Sequence, residues 1–190
     1  MPAQGSNWGE SNVKKFEVIP LLILCLAFAT TAVAKGSKAP ALATASSNGS
    51  AQFDQLKQLA GEWISRSATD QMDFTRHTYR IVSNGSAVML TTEVPNEGPM
   101  VTMFYLDGPR LMATHFCGDK NQPRYVAVNS SDPKEIVFKF KDATNLISPT
   151  MGYMSAVTFK FGDSDHHSQQ WTFVENGKTK TETFSLERSK

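Results

Sequence analysis

His115 and Cys117 stand two residues apart in a segment of strand-like composition, 110–117. Alternate residues of a strand share a face, so a thiol and an imidazole would project to the same side. If that side is inward, they line a cavity beside the turn at 118–122. A histidine next to a cysteine can lower the thiol pKa and create a nucleophile, which makes this pair the candidate catalytic residues. No third group is assigned to orient them. The plainer reading of the same residues is a small buried hydrophobe and an imidazole satisfied by a polar neighbour.

Asn121, Gln122 and Arg124 follow around Pro123. Their amide and guanidinium donors could hold a polar ligand head, a carboxylate above all. The other reading has the amides tying down the turn and the arginine pairing at the surface. His166 and His167 follow Asp163 and Asp165. These are metal-ligating residue types, but neighbouring strand residues point to opposite faces, so one histidine at most could serve a given site. The expectation is a solvated turn with no metal. Haem held through His115, His167 or His77 stays open, although no C-x-x-C-H attachment motif is present and nothing fixes an axial ligand. No cofactor is expected. Phosphate-binding glycine loops, G-x-S-x-G elbows and H-E-x-x-H helices are absent from the sequence.

The elements that must position these residues are mostly strands. Phe53, Leu56, Leu59 and Ala60 recur at helical spacing, giving a short helix able to plug one end of a barrel. Strand-like runs follow at 63–68, 74–83, 87–94, 100–106, 110–117, 125–129, 136–141, 153–161, 169–173 and 179–186. Asn84-Gly85, Asp107-Gly108 and Asn176-Gly177 are tight-turn dipeptides between them. Ile136, Phe138 and Phe140 alternate with Lys139 and Lys141, and Val157, Phe159 and Phe161 flank Lys160, the in-and-out period of a half-buried strand. Strand following strand with no helix between predicts an all-β domain, an antiparallel up-and-down barrel of about eight to ten strands. Closure removes the exposed sheet edges that so many strands would otherwise leave. A longer segment, 142–152, is expected to be a loop at the mouth or on the outside.

The first 34 residues read as a signal peptide. Lys14 and Lys15 form its positive region, 16–30 its apolar core, and Ala32-Val33-Ala34 its cleavage site. Val13 reads as the natural start. Residues 35–50 read as a flexible linker, and 51–190 as the barrel domain. The full sequence carries 19 basic and 18 acidic residues; two of each lie in 1–34, leaving 17 and 16. That balance argues against a nucleic-acid partner or a polybasic membrane surface. Cys117 alone remains after processing, so no intrachain disulfide can form. Met72, Met89, Met100, Met103, Met112, Met151 and Met154 are numerous enough to fill an irregular core or to line an adaptable site.

A short helix followed by Gly61-Glu62-Trp63 on the first strand resembles the lipocalin and wider calycin superfamily. The resemblance implies that Trp63 closes the barrel floor and packs against a basic side chain late in the chain, for which Arg188 is the candidate. The Thr-Asp-Tyr signature of many lipocalins is absent, so lipocalin-like is the fitting term. Thr114-His115-Phe116-Cys117 with Asn121-Gln122-Pro123-Arg124 is similar to a motif of exported bacterial lipocalin-like proteins of unknown function. The combined reading is an exported protein, periplasmic or extracellular, that binds a small, partly apolar molecule and keeps no membrane span after processing. Phe138, Phe159 and Trp171 would supply apolar burial. His115, Cys117, Asn121, Gln122 and Arg124 would meet its polar end. Two other readings stand beside it: an isomerase- or hydrolase-like barrel enzyme using His115 and Cys117, and an envelope accessory domain with a filled core. The oligomeric state is not legible.

Overall fold

The computed structural model describes residues 48–66 and 74–190. The expected signal peptide, its cleavage point at Ala34, the Val13 start and nearly all of the 35–50 linker lie outside those residues. So do 67–73, with Met72. The described chain forms one helix, α1 (Gly49–Gln58), and ten strands. These are β1 (Gly61–Arg66), β2 (Phe74–Val82), β3 (Ala87–Glu93), β4 (Met100–Asp107), β5 (Arg110–Phe116), β6 (Gln122–Val128), β7 (Glu135–Thr144), β8 (Tyr153–Phe161), β9 (His166–Glu175) and β10 (Lys178–Arg188). Each strand pairs antiparallel with its sequence neighbour, and β1 pairs with β10, closing the barrel. No edge is left open among the paired strands, as the run of turns implied. Among the described residues no helix is long and apolar enough to cross a membrane.

Several boundaries differ from the sequence expectation for identifiable reasons. The helix begins at Gly49, inside the expected linker, because Gly49 is buried against the β4–β5 turn. A Cβ there would lie 2.2 Å from the carbonyl oxygen of Pro109, so only glycine lets the helix sit down. β6 begins at Gln122, because residues 122–124 pair with the far end of β7. β7 therefore runs on to Thr144 and shortens the expected 142–152 loop to 145–152. β9 begins at His166, which puts both His166 and His167 on a strand. Asn84-Gly85 lies within a single 3₁₀ turn, Ser83–Gly85, with Ser83, Asn84 and Gly85 all at positive φ. Asn176-Gly177 is a two-residue hairpin loop, again with both residues at positive φ.

The barrel has a plugged end and an open end. Phe53, Leu56 and Leu59 enter the core from α1. Beside them Phe104, Phe138 and Phe159 form a triad with ring centroids 5.5 to 6.0 Å apart. Leu90, Leu111, Ile136, Val157 and Leu186 complete the packing there. At this floor the indole N–H of Trp63 donates to the carbonyl of Leu59 at 2.7 Å. The Arg188 guanidinium lies 4.2 Å from the centre of the Trp63 ring and donates to the carbonyls of Ala60, Gln58 and Ser164. Gly61, at φ 127°, makes room: a Cβ there would meet a guanidinium nitrogen of Arg188 at 2.9 Å. One cation thus stacks on the indole and satisfies the carbonyl of Gln58 at the helix end and that of Ala60 just beyond it.

Candidate functional site

The opposite end of the barrel holds a cavity of roughly 270 Å³. Its apolar wall comes from Met100 of β4, Met154 of β8, Trp171 and Phe173 of β9 and Phe184 of β10. Val94 closes one side, and Thr92 and His115 are the inward polar side chains. Glu97, Lys180 and Glu182 stand at the rim, all exposed. Met154 faces inward because of a register shift in β8. Met154 pairs with Phe173 and Ala156 with Thr172, so Ser155 is the extra residue. Met154 and Val157 consequently both point inward although they are three apart.

His115 is buried on the inward face of β5. Its Nδ1 lies 2.9 Å from the hydroxyl of its cross-strand partner Thr102, and its ring lies 5.0 Å from that of Trp171. Its Nε2 is buried without a partner. Burial lowers its pKa to about 4, so the imidazole is neutral at ordinary pH.

Beneath Trp171 a polar chain runs to the floor. The indole N–H of Trp171 donates to Oε1 of Gln169 at 2.8 Å. An indole can only donate, which fixes the amide: its NH₂ faces Nδ1 of His77, 3.0 Å away, and donates to the hydroxyl of Tyr79. His77 therefore carries its proton on Nε2. The Tyr79 hydroxyl, already accepting from Gln169, also lies in hydrogen-bond contact with Nε2 of His167 at 3.0 Å. The His167 ring meets Trp63 edge-on at 4.3 Å. His77 Nε2 and His167 Nδ1 are left buried without partners. Burial lowers both pKa values to about 3; at His167 the neighbouring His77 and Arg188 add to the effect. Burial likewise pushes the Tyr79 hydroxyl well above its usual value. The whole chain is held neutral.

The sequence candidates distribute unevenly around this geometry. His115 and Trp171 line the cavity together. Phe138 and Phe159 are fully buried in the triad near the floor and do not line it. Cys117 falls in the turn after β5, half-buried, with its Sγ 3.9 Å from an Asp119 oxygen. Burial, chiefly, raises its pKa. No hydrogen bond joins it to His115, whose free nitrogen is unpartnered.

Asn121 is buried and donates to the carbonyl of Gly152 at 2.7 Å, while the Gln122 side chain accepts from Thr144 and Asn145. These amides fasten the 145–152 loop to the 117–121 turn. Arg124 points outward and forks onto Asp142, with its Nη2 2.8 Å from the carboxylate. His166 is exposed and pairs with Asp163 at 2.8 Å, as a solvated histidine would; His167 is instead buried on the inner face. Among the described residues no cluster of three or more His, Cys, Asp or Glu side chains could hold a metal.

His77, Tyr79 and Gln169 belong to the site's support; from the sequence His77 stands out only as a possible haem ligand, and Tyr79 and Gln169 carry no assigned role. A signal was there: Thr75-x-His77-x-Tyr79 and His167-x-Gln169-x-Trp171 alternate with the inward parity. Polar residues at alternating positions shared with a core tryptophan mark an inner face that is not purely apolar.

The molecule is thus a closed ten-stranded antiparallel barrel, packed at one end and hollow at the other. No family model and no curated protein matches the chain. Among solved structures it is similar to the crystal structure of Rv2717c from M. tuberculosis, with 16% sequence identity, 73% of this chain and 97% of that chain covered, and a TM-score of 0.45.

Proposed function

We propose that this chain is an exported, lipocalin-like protein that binds a small, partly apolar molecule in the cavity at the barrel mouth. One observation carries the reading. His115, whose Nε2 is buried without a partner, lines a hollow walled by aromatic rings and methionines. A buried polar atom without a partner costs about 1–3 kcal/mol, and a ligand group that reaches it recovers that cost. The volume, roughly 270 Å³, lies just below the range of small-molecule sites, roughly 300–1,000 Å³, so the ligand is compact. Binding is reversible burial: the apolar wall desolvates the ligand and His115 orients its polar end. Nucleophilic chemistry lacks comparable support, because the Cys117 thiol is not coupled to His115 and its pKa is raised.

The test is equilibrium dialysis of the mature protein against a panel of small neutral and charged, aliphatic and aromatic compounds. The wild type is expected to take up at least one compound saturably. Met154→Trp, which fills the hollow, is expected to bind it at least about tenfold more weakly while still unfolding cooperatively. Equal binding by both proteins, or none by the wild type, would overturn the reading. Export is tested on the same protein recovered from its host: the chain is expected to begin near Lys35, and retention of 1–34 would contradict it.

A further inference from the structure

We propose that the ligand is an uncharged aromatic molecule carrying one hydroxyl, with its ring against Trp171, Phe173 and Phe184 and its hydroxyl on Nε2 of His115. The inference rests on the reading of the cavity as a ligand site and narrows it to a chemical class.

Three features set the class. The first is the wall. Trp171, Phe173 and Phe184 present rings and Met100 and Met154 present thioethers, surfaces that favour another aromatic ring over an alkyl chain of equal area.

The second is the charge pattern. Every charged side chain at the cavity, Glu97, Lys180 and Glu182, is exposed at the rim, and the three carry both signs. Arg124, the guanidinium that a carboxylate would seek, is on the outer face with Asp142. A carboxylate carried past the rim would meet a neutral imidazole and no buried cation, Lys180 staying exposed at the mouth, and would lose its hydration without compensation.

The third is the free valence of His115. The Thr102 hydroxyl can either donate to Nδ1 or accept from it, so Nε2 is a donor in one tautomer and an acceptor in the other. A hydroxyl complements both states. A carbonyl or a carboxylate complements only one.

The experiment compares naphthalene, 2-naphthol and 2-naphthoate by equilibrium dialysis at neutral pH, and follows the imidazole ¹⁵N resonances of the wild type. 2-Naphthol is expected to bind about tenfold more tightly than naphthalene, the worth of one buried hydrogen bond, and 2-naphthoate more weakly than either. The His115 Nε2 resonance is expected to move with 2-naphthol and to stay nearly fixed with naphthalene. His115→Phe is expected to level 2-naphthol with naphthalene; should that variant fail to fold, the wild-type resonance decides.

A preference for 2-naphthoate, no advantage for 2-naphthol, or an unmoved Nε2 would overturn the inference. If all three compounds fail while another member of the wider panel binds, the class is wrong and the ligand cavity stands. If nothing in the panel binds, both fall.

Discussion

Replacing Gln169 by Leu removes the acceptor of Trp171 and the donor to Tyr79 and His77 in one step. Each stranded group costs about 1–3 kcal/mol in a buried setting, and some of that is relieved by repacking. We therefore expect Gln169→Leu to lose about 3 kcal/mol or more of stability, read as a lower urea midpoint; an unchanged midpoint would mean that the chain of bonds contributes nothing. Arg124 offers a contrast, since its pairing with Asp142 is half-exposed and screened by water, so it contributes little. At this scale the sequence was legible where chemistry and parity agreed. His115 stood out by residue type, Trp171 by alternation, and both line the cavity. Gln169 did not stand out, because an amide on a strand looks solvent-facing until its neighbours are known. Cys117 looked paired with His115 only while the strand was assumed to run on past Phe116.

The helix and the bulges show how much of the site is set by whole elements. α1 plugs the floor and leaves the mouth to the turns, and it can do so only because Gly49 presses on the Pro109 backbone. In an isolated helix an alanine would gain at most about 1 kcal/mol over glycine. Here its Cβ would fall 2.2 Å from a carbonyl oxygen, and overpacking of that kind costs about 1–3 kcal/mol. The steric effect wins, so Gly49→Ala is expected to lower the thermal midpoint; a raised midpoint would show that α1 does not seat on the β4–β5 turn. Strand number, order and most turns followed from period-two alternation and turn dipeptides. The β8 bulge did not. One extra residue leaves the local pattern intact and flips the parity beyond it, so Met154 reads as outward until Phe173 is found opposite.

The molecule as a whole carries three buried neutral histidines, and this gives its stability a pH dependence of definite sign. His77 and His167 have folded pKa values lowered to about 3 and His115 to about 4, against about 6.5 in the unfolded chain. Below about 6.5 the unfolded chain binds protons that the folded one refuses. Stability is therefore fully present above that pH and falls as the pH drops toward 4. The limiting slope is about 1.4 kcal/mol per pH unit for each histidine. His166 works the other way: Asp163 raises its pKa, so its small contribution is present at low pH and fades as the pH rises. The net expectation is a clear drop in urea midpoint between pH 7 and pH 5; a flat profile would mean that the three rings reach water in the folded state.

The most direct test of a binding cavity at the mouth uses the methionines. Met100 and Met154 line the hollow, whereas Met89 and Met103 pair across β3 and β4 away from it. With ¹³C-methyl methionine, saturating 2-naphthol is expected to shift the Met100 and Met154 methyl resonances and leave those of Met89 and Met103 in place. Shifts at Met89 and Met103, with Met100 and Met154 unmoved, would contradict a ligand site at the barrel mouth.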